Sequence, residues 1–309
     1  KLPLTDQRLE VSGHKVTRQQ LHLNNTQLNN LEIYCKHFSL TRASVMLAVF
    51  AEAVGRWSES TTFTLNVPIF NRPTSQDNFN TVLGNFSSFV LIAVDHSEKS
   101  SFAERAKALQ VQMHEAINNS QVSGIEVVRQ LTREKGHTFE NGFPVVFTHL
   151  PSGIEDWDKN TLADIKLGLG NINYSITQTP QVWLDNQVWY TGEGMTINWD
   201  SIDGLFPEHM SEDMFVVYEN VLLSLVESEE NWSLENPLYE LPSRQIAGNH
   251  CQNVDESLIA APNALELILK HAKNNPDDLA VVFDNKTLSY YELIEAALKL
   301  AANLVELGV

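Results

Sequence analysis

Cysteine is scarce. The two present in 309 residues, Cys35 and Cys251, lie far apart and without metal-ligand spacing. This excludes a disulfide-stapled scaffold and a thiolate zinc site. Cys35 falls in an amphipathic stretch and reads as a buried core thiol. Positive charge is scarce as well: 21 Lys and Arg against 39 Asp and Glu leave a net charge of −18. A surface of that sign argues against general nucleic-acid binding and against anionic membranes. Long apolar runs are missing, and one of the longest, Phe89–Val94, is far too short to span a bilayer. No basic, then apolar, then small-residue pattern opens the chain, so no secretory signal is expected and the composition fits the cytosol. The Asn-x-Ser/Thr triplets at Asn85 and Asn118 are then chance matches. The chain opens on Lys1 rather than Met, as a segment or processed product would.

Familiar catalytic signatures are lacking too. Gly168-Leu169-Gly170 is not followed by the Lys-Ser/Thr of a phosphate loop. Asp156, Asp158 and Asp164 do not have calcium-loop spacing. There is no Gly-x-Ser-x-Gly elbow and no histidine pair at zinc spacing. No metal is expected.

What is present is an ordinary globular composition, 43% hydrophobic and 19% charged, with length for about two domains. Residues 14–23 suggest a short strand or an arm. Thr26 can cap a helix carrying Leu28, Leu31, Cys35 and Phe38. A second helix follows Thr41, with Met46, Val49, Phe50, Ala53, Val54 and Trp57 on one face. Alternation over Thr61–Val67 predicts a strand. The run through Phe89–Val94 predicts another, covered on both faces. Phe102, Ala106, Leu109, Met113 and Ile117 define a helix starting at Ser100 or Ser101, and Ile125, Val128 and Leu131 a shorter one. Pro144–Leu150 reads as a strand, and Ser175–Tyr190 with Met195–Trp199 as a hairpin turning at residues 191–194. Pro207–Val226 reads as a capped helix. Residues 227–262, polar and broken by proline, read as a linker. Beyond it lie helix Ala264–Lys273, strand Leu279–Phe283, turn Asp284–Lys286 and helix Ser289–Leu307, too little for a core of its own. The irregular interleaving predicts an α/β sandwich rather than a repeat or a doubly wound sheet.

Two polar side chains stand out. In QVWLDNQVWY, alternation puts Trp183, Asp185, Gln187 and Trp189 on one face of a strand. A carboxylate between tryptophans is costly to bury unless paired or used, and desolvation would fit it for proton transfer. The plainer alternative, favoured by these residues alone, is an edge-strand Asp facing water. Thr148 closes a strand, where a hydroxyl usually bonds a neighbouring backbone group; beside a base it could orient or relay a proton. His149 alternates to the opposite face and reads as a satisfied structural histidine.

Several strings in order then carry a resemblance: Asn66-Val67-Pro68-Ile69-Phe70-Asn71-Arg72, Leu83-Gly84-Asn85-Phe86-Ser87-Ser88, Pro144-Val145-Val146-Phe147-Thr148, and Thr177 through Val188, which reads TQTPQVWLDNQV. Together with the helix Thr41–Trp57 they resemble the C-terminal lobe of a heterocyclization domain of a nonribosomal peptide synthetase, over residues 1–240. Asn275–Val282 and Leu288–Leu293 resemble the opening of an adenylation domain over residues 263–309, after a linker at 241–262. The resemblance implies a chloramphenicol-acetyltransferase-like lobe, the second half of a two-lobed domain. The first lobe would carry an Asp-x-x-x-x-Asp motif that has no counterpart here.

The implied reaction joins a carrier-bound acyl group to carrier-bound Cys, Ser or Thr, then closes a thiazoline or oxazoline ring with loss of water. No cofactor would be bound directly; phosphopantetheine would arrive on peptidyl or aryl carrier domains, the implied partners together with the N-terminal lobe and the adenylation domain. In the family the catalytic pair matches Thr148 and Asp185, with Gln178 and Gln181 as candidates to orient the amide or the pantetheine arm. Siderophore biosynthesis is the implied pathway. Two departures leave a condensation-only domain or a silent carrier-docking lobe open: Gly84-Asn85-Phe86-Ser87 stands where Gly-Asp-Phe-Thr is usual, and His149 where Ser is usual.

Overall fold

In the computed structural model a strand, β1 (Val16–Asn24), runs directly into helix α1 (Asn25–His37). The described residues are 2–5, 15–71, 84–135, 142–149, 181–191, 194–235, 242, 264–283 and 286–306. They fall into two compact units, Lys1–Ser243 and Arg244–Val309. Asn24, not Thr26, caps α1. Its side chain accepts from the Gln27 amide and the Gln27 side chain accepts from the Asn24 N–H, each at 3.0 Å. A glutamine three residues on completes this reciprocal box, which Thr26 lacks. Leu28, Leu31 and Cys35 then point inward at helical spacing, and burial pushes the Cys35 thiol up to about 12.

Helix α2 (Arg42–Trp57) is capped by Thr41 and buried along most of its length from Ser44 to Val54. It is the central helix of the first unit. Helix α3 (Phe102–Asn118) starts at a Ser101–Glu104 capping box. Helix α4 (Gly124–Lys135) follows it. Helix α5 (Met210–Glu227) has no side-chain cap: His209 precedes it at φ 64°, and the Met210 N–H turns back to the Pro207 carbonyl. The expected capped start at Pro207 is therefore a turn.

The remaining strands are β2 (Thr62–Phe70), β3 (Ser87–Asp95), β4 (Val145–His149), β5 (Leu184–Thr191) and β6 (Gly194–Ile202). They form one six-stranded mixed sheet in the order β1-β6-β5-β4-β2-β3. The pairs β2–β4 and β4–β5 are parallel and the others antiparallel. β5 and β6 make the expected hairpin, and Gly194 is needed there: at φ 143° a Cβ would run into the Leu23 carbonyl of β1. β3 departs from expectation. It is an edge strand with Val90, Ile92 and Val94 buried and Ala93 exposed. Of its outward apolar residues, Phe89 lies against Gly124 at the start of α4 and Phe89 and Leu91 are half-buried, while Ala93 is exposed.

Alternate residues of all six strands form one apolar cluster with α1, α2, α3 and α5. Trp199 of β6 sits in it, edge-on to Phe50 at 5.2 Å and to Tyr218 at 5.5 Å between ring centres. The first unit also continues past the composition change at Glu227. Residues Glu229–Ser233 form a short 3-10 helix that buries Trp232 completely. That ring stacks on Phe38 at 5.2 Å, and its Nε1 donates to the Leu225 carbonyl at 2.9 Å. One tryptophan thus ties a stretch of linker-like composition into the core. Among the described residues no single helix is long and apolar enough to cross a membrane.

The second unit contains α6 (Ala264–Asn274), the two-stranded ribbon β7 (Leu279–Phe283) with β8 (Lys286–Ser289), and α7 (Tyr290–Glu306). β8 was not expected: a turn is predicted over Asp284–Lys286 and a helix from Ser289. Ser289 closes it and also begins α7, exchanging hydrogen bonds with Glu292 at 2.8 and 3.3 Å. None of this unit's described side chains is buried.

Candidate active site

β4 and β5 lie side by side and parallel, in a register that sets Val146 beside Asp185 and Thr148 beside Gln187. Phe147, Leu184 and Val188 take the inward positions in the apolar cluster. Strand alternation therefore sends Thr148, Asp185 and Gln187 to the other face. There the Thr148 hydroxyl donates to Asp185 Oδ1 at 3.0 Å. Gln187 Nε2 donates to Asp185 Oδ2 at 2.7 Å, so both carboxylate oxygens accept a hydrogen bond. Two bonds of this length fix the plane of the carboxylate.

The edge-strand alternative for Asp185 does not hold, because β5 lies inside the sheet between β4 and β6. The tryptophan setting is also revised. Trp183 packs against the apolar cluster, and the groups at hydrogen-bonding distance from the carboxylate are polar.

The polar patch continues across the sheet. Asp200 of β6 stands directly opposite Asp185 in the antiparallel register, and Gln187 Nε2 reaches Asp200 Oδ2 at 3.4 Å. Arg18, opposite Asp200 on β1, grips both of its oxygens: Nε to Oδ1 at 2.6 Å and Nη2 to Oδ2 at 2.6 Å. Asp200 is 5% exposed, so this fork is what makes its burial tolerable. In the neighbouring row Gln20 donates to Asn198 at 2.7 Å. Sequence reasoning placed Gln187 on this face without a task and missed Arg18 and Asp200. The signal that could have found them is the alternation of β1 against β6, but only once the register was known.

His149 points away from Thr148, as alternation requires. Its Nε2 lies 3.0 Å from the Tyr190 hydroxyl, and Arg42 lies 4.3 Å over the Tyr190 ring. Burial, helped by the Arg42 charge, pushes the His149 imidazole down to about 4. It is a neutral structural group. Gln181 sits on an exposed turn before β5, and Gln178 lies outside the described residues, as do Arg72, Asp156, Asp158, Asp164, Gly168, Gly170 and Cys251. Asn85, a departure from the usual pattern, accepts the Ser87 N–H at 2.9 Å and shapes the entry to β3. Among the described residues no three His, Cys, Asp or Glu side chains are grouped to hold a metal.

The sequence matches the condensation-domain family over residues 1–233. The chain belongs to that family. This condensation domain is 31% identical to the pyochelin synthetase PchE of Pseudomonas aeruginosa over all of its own length and 21% of that protein. It is 32% identical to the phenyloxazoline synthase MbtB of Mycolicibacterium paratuberculosis over 87% of its length and 22% of that protein. The chain thus spans about a fifth of the length of these two relatives. Among solved structures, the EpoB cyclization-docking bidomain from Sorangium cellulosum aligns with a TM-score of 0.63 and 34% identity, covering 75% of this chain and 45% of that one. The mixed α/β architecture is accordingly that of nonribosomal peptide synthetase condensation domains, the chloramphenicol-acetyltransferase-like fold.

Proposed function

We propose that this condensation domain is the C-terminal lobe of a heterocyclization domain, with Thr148 and Asp185 as its catalytic pair. The observation that carries this reading is the 3.0 Å hydrogen bond from the Thr148 hydroxyl to Asp185, made between two side chains 37 residues apart. Residues Pro180–Asp185 belong to the string that distinguishes heterocyclization from plain condensation. The names of PchE, MbtB and EpoB, which refer to pyochelin, phenyloxazoline and cyclization, support the same direction.

In the proposed reaction the amine of a carrier-bound Cys, Ser or Thr attacks an upstream thioester. A C–N bond forms, the C–S bond breaks, and the pantetheine thiol leaves protonated. The side-chain thiol or hydroxyl then adds to the new amide carbonyl: the ring-closing S–C or O–C bond forms, the C=O π bond breaks, and the nucleophile's proton passes by way of Asp185 to that oxygen, making a hydroxyl. The amide nitrogen then gives up its proton, Asp185 delivers a proton to the hydroxyl, the C–O bond breaks with loss of water, and the C=N bond of the ring forms. Thr148 holds the carboxylate in place and can relay the proton by rotating its hydroxyl. Gln178 and Gln181 are proposed to orient the amide or the pantetheine arm.

The second unit is read as the start of an adenylation domain. Its exposed Leu265, Leu269, Phe283, Leu298 and Val305 are apolar surface that a complete domain would cover. Carrier domains, the N-terminal lobe and the adenylation domain are the partners, the cytosol the compartment, and a siderophore the proposed product class.

The test is product mass from the intact synthetase carrying Thr148→Ala or Asp185→Asn. Linear amide is expected to accumulate while the ring product, lighter by one water, falls by orders of magnitude. Normal cyclization in both variants would contradict the assignment. Wild-type product that never loses water would point to condensation alone.

A further inference from the structure

Deep on the apolar side of the sheet lies a group of polar atoms that hydrophobic packing does not explain. Asn186 stands between Leu184 and Val188, both in the apolar cluster, so alternation turns its amide into the core. Trp199 is its direct partner on β6, and Phe147 is its neighbour on β4. Tyr218 arrives from α5, its ring centre 5.5 Å from that of Trp199. All three side chains are fully buried. Phe50 and Phe215 close on the Trp199 ring at 5.2 and 5.9 Å between centres. Burial pushes the Tyr218 hydroxyl well above the ordinary tyrosine range, and the nearby Asn186 amide offsets part of that. The hydroxyl therefore stays protonated and remains a donor. Both ends of the Asn186 amide, Trp199 Nε1 and the Tyr218 hydroxyl are nevertheless buried without a hydrogen bond to any side chain or backbone group.

Each such group left dry forfeits a hydrogen bond that it makes to water in the unfolded chain. Native cores satisfy nearly all of their buried polar atoms, so several orphans at one spot call for a shared partner. The set is complementary to a small molecule that both donates and accepts. Trp199 Nε1 can only donate, the Asn186 amide has one donor end and one acceptor end, and the Tyr218 hydroxyl does either. From this arrangement we infer that Asn186, Trp199 and Tyr218 hold an enclosed water molecule that bonds β5 and β6 to α5. The water accepts from the Trp199 N–H and donates to Asn186 Oδ1 and to the Tyr218 oxygen, about the three bonds usual for a buried water. The trio contains no charged side chain, so a neutral molecule fits it and an ion does not. The bridge lies back to back with the polar patch: Asn186 separates Asp185 from Gln187 along β5, and Trp199 precedes Asp200 on β6. It ties the two strands that carry those groups to the helix behind them. The bridge does not depend on which reaction the domain performs, and so goes beyond the heterocyclization reading.

The experiment is a crystal structure of the full chain at a resolution that shows ordered water, together with thermal unfolding of Tyr218→Phe, Asn186→Leu and the two combined. The expected density is a water about 2.7–3.2 Å from Trp199 Nε1 and from a polar atom of each of Asn186 and Tyr218. Tyr218→Phe removes one bond to that water and keeps the ring. Its melting temperature is expected to fall by about 2–6 °C. A dry, unpartnered hydroxyl would give the opposite sign, because its removal would relieve the core. Asn186→Leu is expected to lower the melting temperature as well, and the double variant by less than the sum, since the same water is lost only once. If Asn186→Leu does not fold, the sign in Tyr218→Phe and the density decide. A melting temperature that rises in Tyr218→Phe, losses that add in full, or density in which the three side chains bond one another with no water between them would overturn the inference. Neither measurement is read through activity, so its failure leaves the heterocyclization reading standing, and normal cyclization in Thr148→Ala and Asp185→Asn would leave the water site standing.

Discussion

The two faces of the six-stranded sheet are built by opposite rules. On the face that meets α1, α2, α3 and α5, side chains from all six strands merge into one apolar cluster, and their contribution is roughly proportional to buried area. On the other face the strands β1, β6, β5 and β4 carry Arg18, Asp200, Gln187, Asp185 and Thr148, each bonded to a specific atom of the next. A non-directional face tolerates a change of shape if volume is kept; a directional one tolerates the removal of both partners better than of one. The difference places the chemistry: reactive groups can be held ionised and oriented only where the sheet supplies donors rather than hydrocarbon.

Variants can break this contrast in order of size. Trp232→Ala, on the apolar side, is expected to cost about 3–5 kcal/mol in denaturant unfolding, because it removes a fully buried ring and its bond to the Leu225 carbonyl. Arg18→Gln, on the polar side, should cost about 3 kcal/mol by leaving Asp200 buried without its cation, and adding Asp200→Asn should recover most of that. No second substitution should rescue Trp232→Ala in this way. A smaller effect belongs to His149. Its folded-state value near 4 lies below the ordinary 6.5, so the unfolded chain takes up the proton first as pH falls. Stability is whole above about pH 6.5 and should decline by about 1–3 kcal/mol as pH drops toward 4. In His149→Gln the melting temperature should lose that part of its pH slope. The smallest effect is at the α1 cap: Asn24→Ala should cost about 1 kcal/mol, whereas Thr26→Ala should be near neutral.

Legibility in the sequence followed the same division. Helical spacing of Leu28, Leu31 and Cys35, and alternation of Phe63, Leu65 and Val67, announced the apolar side because each signal is local. Local signals also misled. The apolar run through Phe89–Val94 belongs to an edge strand, since hydrophobicity alone does not say how much of the second face a neighbour covers. The polar stretch after Glu227 hid Trp232, whose burial depends on Phe38 far upstream. On the polar side, Thr148 and Asp185 could be proposed from the residues and the family resemblance. Their bond depends on the parallel register of β4 and β5. The Arg18–Asp200 pair joins residues 182 apart in the chain, and no spacing rule links them until the order β1-β6-β5-β4 is known.

Whether Thr148 and Asp185 act as one unit is measured most directly by a double-mutant cycle on the ring-closure rate, using Thr148→Ala, Asp185→Asn and the two combined. If the hydroxyl works through the carboxylate, the double variant should be no slower than Asp185→Asn alone. Rate losses that multiply would mean that the two groups contribute independently, contrary to the joint role assigned to them.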